Sequence, residues 1–453
     1  MLRINFIAIA LVLFATHVMA QADYTVGGTV SDAETGRGIT GAEVVILGSA
    51  NYSTFTDDRG EFDIVCDLQS YELIVMAPGY SLLQQPIDPT RASALHISLK
   101  PLALHLSEAT IAAAAAKFDM ERLAAVEETA IYSGMKNEVL SPKLMQANLA
   151  TNNTRQVYAK VPGINVWEND GAGLQLGIGA RGLNPNRTAH FNVRQNGFDI
   201  SADALGYPES YYTPPLEAVE RIELIRGAAA LQYGPQFGGL LNFKMKSGDR
   251  ASKLTLGVKQ TVGTYGFSER FESPLALSNT LVEAGGTVEN IRYYGFYQHK
   301  TGSGWRANSA FNVNTAHFNL IWQRGPKVKI RAEVTHMDYL AKQAGGLTDA
   351  QFAANPQQSL RTRNWFRVNW NLASAEVAWT IHPMLALTSR TFGLIASREA
   401  LGFLGYPTRI DPMSERNMIA GQFHNIGNET RLLRRFNMGT GPVGSIVGGV
   451  RFY

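Results

Sequence analysis

The chain has 453 residues, of which 45% are hydrophobic, 10% aromatic and 17% charged, and its formal net charge is +3. A charged fraction below the roughly 25% of ordinary soluble domains, with this much apolar content, excludes a disordered chain. So small a basic excess excludes a protein that binds nucleic acid by neutralising phosphates, and the single cysteine, Cys66, excludes a disulfide scaffold.

At the N-terminus, Arg3 precedes an apolar run, Ile7–Ala15. That run is shorter than the about 20 residues a bilayer-spanning helix needs. Val18-Met19-Ala20 then offers the small residues of a cleavage site, so residues 1–20 read as a signal peptide rather than an uncleaved anchor. No later segment is apolar enough for a transmembrane helix, and a membrane-resident chain of this kind crosses with strands.

Residues 21–100 read as a small β-sandwich. Val44–Leu47, Glu61–Val65 and Tyr71–Val75 are short β-prone runs, separated by turn chemistry at Asp32–Gly36, Asp57–Gly60 and Ala77–Tyr80. The acidic group Asp57, Asp58, Glu61 and Asp63 lacks the spacing of a calcium loop and reads as a solvated turn. Gly28-Thr29-Val30, Gly41-Ala42-Glu43-Val44, Thr56-Asp57-Asp58-Arg59-Gly60-Glu61-Phe62 and Gly79-Tyr80 resemble the carboxypeptidase-regulatory-like domain, which implies no activity of its own. Residues 101–136 read as a linker with some helix, at Leu102–Leu106, Ala112–Ala116 and Met120–Ala125.

Residues 137–249 read as an α+β domain. Arg155–Ile164 predicts a short helix ended by Pro162-Gly163, and Val219–Arg226 predicts a strand. Gly227, Gly234, Gly238 and Gly239 mark tight backbone paths that side chains would block. From Lys253 onward, apolar and polar residues alternate. Ala316, Phe318, Leu320 and Trp322 form one such series, and Val328, Ile330, Ala332 and Val334 another. Phe366–Leu372 alternates too, and a turn predicted at Ala373-Ser374 separates it from Ala375–Ile381. An antiparallel sheet with one wet face gives this pattern. Tight connections between some strands, a long one from Ala341 to Arg361, recurrent aromatics and the export signal favour an outer-membrane barrel in residues 250–453.

Residues 139–246 resemble the plug of a TonB-dependent outer-membrane receptor. The resemblance rests on Asn152–Ile164, on Ala180-Arg181-Gly182-Leu183-Asn184-Pro185, and above all on Leu216–Phe243, with its Val219-Glu220-Arg221-Ile222-Glu223-Leu224-Ile225-Arg226-Gly227 core. Tyr233-Gly234-Pro235-Gln236 and Arg181–Pro185 are similar to the ferric-citrate-receptor branch. The resemblance implies a plug inside a barrel of about 22 strands. It also implies residence in the outer membrane and contact with its lipid, with the N-terminal domain in the periplasm. The implied ligand is an extracellular iron chelate, of ferric-citrate or siderophore type, which is cargo and not a cofactor. Energy is expected from the TonB–ExbB–ExbD complex, through strand pairing with a TonB box. Leu106-Ser107-Glu108-Ala109-Thr110-Ile111 is the preferred box, and Glu128–Gly134 is the alternative.

The residues after Asp249 hold only about eight to ten strands at roughly 9–11 residues each. The expected fold is therefore mainly β: a sandwich, a plug and a partial antiparallel transmembrane barrel, as in a truncated receptor. Ligand contacts are expected from Arg187, Arg194, Gln195, Tyr207, Glu209 and Tyr211, because arginine matches carboxylates and these residues lie in apical loops of the resemblance. Arg181, Arg221 and Arg226 are expected in plug-core or plug–barrel ion pairs.

Three rival functions differ in kind. His105-Leu106-Ser107-Glu108 has the His-x-x-Glu spacing of a zinc peptidase, but no catalytic domain follows to supply a third ligand, and the chain is read as no enzyme. An importer of oligosaccharide or peptide would share both domains, and a non-transporting scaffold would need no ligand.

Overall fold

The computed structural model describes residues 24–33, 35–47, 51–66, 71–77, 80, 82–88, 94–100, 120–168, 173–203, 209–226, 232–234, 237–265, 275–437 and 443–453. They fall into two compact units, divided close to residue 109.

The first unit is the expected sandwich. Its strands are β1 (Tyr24–Asp32), β2 (Glu43–Leu47), β3 (Asn51–Phe55), β4 (Glu61–Cys66), β5 (Tyr71–Met76), β6 (Leu83–Ile87) and β7 (Leu95–Leu99). They form one sheet in the order β4-β1-β7 and another in the order β3-β2-β5-β6. Period-two alternation puts Phe62, Ile64 and Cys66 of β4 into a core with Val26, Val30, Val44, Ile46, Leu73 and Val75. The acidic turn is closed by Asp57, whose Oδ1 accepts the backbone amides of Arg59 and Glu61, both at 2.8 Å.

The second unit opens with the plug. Its elements are β8 (Met120–Glu121), β9 (Val126–Glu127), β10 (Ala130–Ile131), β11 (Asn137–Leu140), helix α1 (Thr154–Tyr158), β12 (Ile164–Val166), β13 (Ile178–Ala180), β14 (Phe191–Gln195), β15 (Phe198–Asp199), β16 (Val219–Ile225) and β17 (Gly239–Met245). The central sheet runs β15-β14-β17-β16-β11-β8. Met120–Ala125, helix-prone by propensity, instead supplies edge strand β8, because pairing with Val139 and Leu140 of β11 outweighs a weak local preference. Asn153 caps α1 by accepting the Gln156 amide at 2.8 Å, and the chain leaves through Gly163 at φ +76°. Strand β16 lies inside the sheet and buries Val219, Ile222, Leu224 and Ile225, residues from both of its faces. Gly239 has φ +124°, and a Cβ there would lie 2.2 Å from the Ile225 carbonyl oxygen. The glycine is therefore required for β17 to lie beside β16.

The rest of the unit is a nine-stranded antiparallel meander in chain order: β18 (Thr255–Thr264), β19 (Leu275–Val288), β20 (Ile291–Gly302), β21 (Phe311–Arg324), β22 (Val328–Lys342), β23 (Trp365–His382), β24 (Leu385–Leu401), β25 (Ile419–Asn437) and β26 (Val443–Phe452). Connections are short at one end, 289–290, 325–327 and 383–384, and long at the other, 303–310, 343–364 and 402–418. The second long connection contains helix α2 (Asp349–Ala354), started by a Thr348/Gln351 capping box.

One face of the meander covers the plug. Near the long connections this inner face is aromatic and aliphatic, with Phe311, Met337, Tyr339, Phe366, Val368, Trp370 and Phe392 joining plug residues Tyr211, Tyr212, Phe198 and Ile200 in one core. Nearer the short turns it carries Glu283, Glu333, Glu376, Arg390 and Glu429. The outer face carries exposed Val258, Val282, Tyr297, Phe318, Trp322, Val334, Val377 and Trp379. Along β24 and β25 it turns polar, where Ser389, Thr391, Asn428 and Thr430 hydrogen-bond to one another.

The turn expected at Ala373-Ser374 does not exist. Strand β23 runs through it and pairs with β22 from Lys342↔Trp365 to Val328↔Trp379. What changes at Ala373 is the side that is apolar. Phe366, Val368, Trp370 and Leu372 are buried on the inner face, whereas Val377 and Trp379 are exposed on the outer one. A shift in the phase of alternation, with no break in the strand, mimics a two-residue turn in the sequence.

Gly239→Ala is expected to cost about 2 kcal/mol or more, from backbone strain and the clash with Ile225. Gly448→Ala, where a new Cβ meets nothing within 4 Å, is expected to change little. Thermal or protease-monitored unfolding of the two variants measures the contrast.

Candidate functional site

The plug surface beneath the long connections is built around Tyr211. The chain reaches it from a 3-10 turn, Asn186–Thr188, where Arg187 and Thr188 hold left-handed φ of +49° and +56°. Such backbone is uncommon outside glycine, and here Thr188 is pinned by its hydroxyl donating to the Leu176 carbonyl at 2.8 Å. Arg187 Nη1 donates to Glu209 Oε2 at 2.7 Å and to Tyr211 Oη at 3.3 Å. From β24, Arg398 Nη1 donates to the same phenol at 2.7 Å. Tyr211 Oη in turn donates to Glu209 Oε2 at 2.6 Å.

The Tyr211 ring is fully buried, against Phe366, Trp370 and Phe423, with centroids 5.7, 5.8 and 6.4 Å away. The Arg187 and Arg398 guanidiniums lie 5.2 and 5.5 Å from its centroid. Two guanidiniums and one carboxylate thus share one phenol on an aromatic platform. This is a set suited to carboxylate or other oxyanions.

The long connections over this platform are tied together. Arg361, on 343–364, donates to the carbonyls of Gly405, Tyr406 and Arg409 on 402–418, each at 2.9 Å, and its guanidinium lies 4.8 Å from the Phe403 ring centroid. Arg363 Nη2 donates to Asp411 at 2.9 Å, and Arg416 also pairs with that carboxylate. The hydrogen bond from Arg363, with the Met413 amide and Arg416, holds the Asp411 carboxyl well below the usual range, against the upward pull of burial. Asn308 joins the third connection by donating to the carbonyls of Gln343 and Asn364 at 3.0 Å.

Arg187, Glu209 and Tyr211 are therefore brought together. Arg194 and Gln195 are not with them: both are fully buried in a separate plug–sheet network. Arg194 donates to Asn192 Oδ1 at 2.6 Å, the Gly197 carbonyl at 2.6 Å, Glu429 at 3.1 Å and the Tyr233 carbonyl at 3.0 Å. Burial pulls its guanidinium below the ordinary range, with Glu429 and Asp199 opposing. Gln195 donates to Glu333 at 3.1 Å and Thr335 at 3.0 Å, and accepts from Tyr212 at 3.0 Å. Tyr207, Gly227 and Leu106–Ile111 lie outside the described residues.

Arg221 pairs with Glu127 at 2.8 Å and Glu223 at 2.6 Å, and Arg226 with Glu138 at 3.0 Å. Both pairings stay inside the plug. Arg181 is exposed, at φ +58°, in the turn that Gly182 completes, and among the described residues it forms no ion pair, so the expected core or ion-pair role is not met there. Gly234 holds φ +146°, and a Cβ on Gly238 would meet the His190 carbonyl oxygen at 2.6 Å. Of the alternative box segment, Ala130–Ile131 forms β10, and Tyr132 shares a 2.5 Å hydrogen bond with Tyr233, so it belongs to the folded plug. Nothing in the sequence distinguishes Arg398 or Arg361, each one arginine among many.

A plug folded against the inner face of a long antiparallel meander resembles the architecture of TonB-dependent receptors. Residues 133–240 match the TonB-dependent receptor plug domain, and residues 25–100 match the carboxypeptidase regulatory-like domain. The chain thus carries a receptor plug domain after a regulatory-like domain in sequence, and its large sheet resembles part of a receptor barrel. Among solved structures it is similar to the ferric citrate transporter FecA in its unliganded form, at 23% identity and TM-score 0.58, over 70% of this chain and 47% of that one. It is also similar to BauA, the ferric preacinetobactin receptor from Acinetobacter baumannii, at 14% identity and TM-score 0.52, over 68% and 45%. A third similar structure is the copper transporter OprC, at 15% identity and TM-score 0.51, over 73% and 47%. The chain spans about half the length of these structures.

Asp411→Asn is expected to free 343–364 and 402–418 for limited proteolysis at neutral pH. In the parent chain the lowered carboxyl keeps the clamp at neutral pH and through the ordinary carboxyl range near ~3.9. Protection is lost only as pH falls below that range, which proteolysis with an acid-active protease measures.

Proposed function

We propose that this chain is part of a TonB-dependent outer-membrane receptor that takes up an anionic ferric chelate of the ferric-citrate or siderophore type. The observation that carries this reading is the convergence of Arg187 and Arg398 on Tyr211 at the end of the unit where the long connections lie. A carboxylate-bearing chelate entering there would replace Glu209 as the partner of Arg187. The names of two of the similar structures, a ferric citrate transporter and a ferric preacinetobactin receptor, support an iron chelate over other anions.

In this reading the apolar outer face of β18–β23 meets lipid and the nine strands form part of the barrel wall. The long connections face outward, and the short turns and the N-terminal domain face the periplasm. Leu106–Ile111 pairs as an added strand with TonB, which draws on the plug.

The double variant Arg187→Ala/Arg398→Ala is expected to weaken ferric citrate binding to the full chain at least tenfold, since a hydrogen bond to a charged group contributes about 1.5–3 kcal/mol. Unchanged ferric citrate binding, or binding of a neutral glycan in its place, would refute the reading. Val334→Arg on the outer face is expected to cost about 2–4 kcal/mol in a bilayer and to lower recovery in the outer-membrane fraction. An unchanged yield there would count against lipid contact.

A further inference from the structure

Towards the short turns, plug strands β16 and β17 and sheet strands β20–β22 line an open-sided cavity of about 250 Å³. This far exceeds the ~10–15 Å³ that admits one water. Its wall includes Lys244, Arg250, Arg292 and Arg331, and among the described residues none of these four has an ion-pair partner within salt-bridge distance. Their neighbours Arg221 and Lys246 are already neutralised, by Glu127 and Glu223 and by Glu283. Among the described residues, Arg331 Nη1 is buried with no hydrogen-bond partner. Arg250, Arg292 and Arg331 lie within one another's charge field, and an oxyanion among them relieves that repulsion.

Glu128 enters this charge field. It sits at the tip of the two-residue turn between β9 and β10, at φ +50°, and accepts from Lys329 Nζ on β22 at 2.9 Å. Burial raises its carboxyl, but Lys244, Lys329 and Arg331 outweigh burial and hold it well below the usual range. Glu220, which also lines the cavity and lies in the field of Arg292, is a second carboxylate, and two carboxylates against Lys244, Arg250, Arg292 and Arg331 leave a positive surplus.

We propose that this cavity is a second anion site, separate from Tyr211, for a small organic anion bearing several carboxylates, and that Glu128 is its tethered occupant. Withdrawal of the β9–β10 hairpin exposes the site, and a free anion competes with Glu128 for it. The inference rests on the cavity itself and holds whether or not the chelate reading of the Tyr211 site is right.

The test is titration calorimetry of the full chain in detergent with iron-free citrate. An Arg187→Ala/Arg398→Ala background weakens binding at Tyr211. In that background Glu128→Gln is expected to raise citrate affinity at least fivefold, and further Arg292→Gln/Arg331→Gln substitution is expected to abolish the gain. No gain from Glu128→Gln in a folded protein, or a gain that survives loss of both arginines, overturns the proposal. Should Glu128→Gln fail to fold, the arginine pair alone decides. Loss of residual citrate binding with Glu128 intact supports the site, and unchanged binding rejects it.

Discussion

The buried clasp between the β14–β15 hairpin and the sheet fixes everything above it. Asn196 and Gly197, at φ +45° and +90°, form the tight turn that antiparallel twist favours. Asn196 donates to Glu333 at 2.5 Å beside Gln195, while Arg194 reaches Glu429. A buried charge is tolerable only when its hydrogen bonds are complete, and each nitrogen of the Arg194 guanidinium has an acceptor. Such a pairing contributes less net stability than specificity of position. It sets where the plug sits along the strands, and so where Tyr211 meets Arg398.

That placement explains the divided inner face of the meander. Where plug side chains are apolar, the sheet answers with Phe366, Trp370 and Tyr339. Where they are polar, it answers with Glu283, Glu333 and Glu429. The apolar contacts exclude water and strengthen the polar ones, because an electrostatic bond gains in a low-dielectric setting.

Much of this was legible in the sequence. The glycine-punctuated stretch ending at Gly238 and Gly239 needs backbone-to-backbone approach, and the structure shows carbonyl oxygens where their Cβ atoms would fall. Alternation revealed the strands because one face meets the plug and the other does not. The same logic failed at Ala373, where both faces are apolar in turn and one strand looks like two. Arg194 and Gln195 show why the site was harder to read. Sequence gives chemical type but not depth, and a buried rivet uses the same side chains as a ligand contact. Arg398 was hidden for the complementary reason: its importance comes from Tyr211, distant in the chain and close only after the sheet folds around the plug.

The carbonyls collected by Arg361 carry a mechanical implication. With Gly405, Tyr406 and Arg409 bound to one planar cation, and with Asn308 bridging the neighbouring connection, the three long segments are coupled at their bases. A shift of any one of them must drag the others or give up several bonds at once. The segments above the aromatic floor thus hold one another in place, so that the position of each depends on the other two.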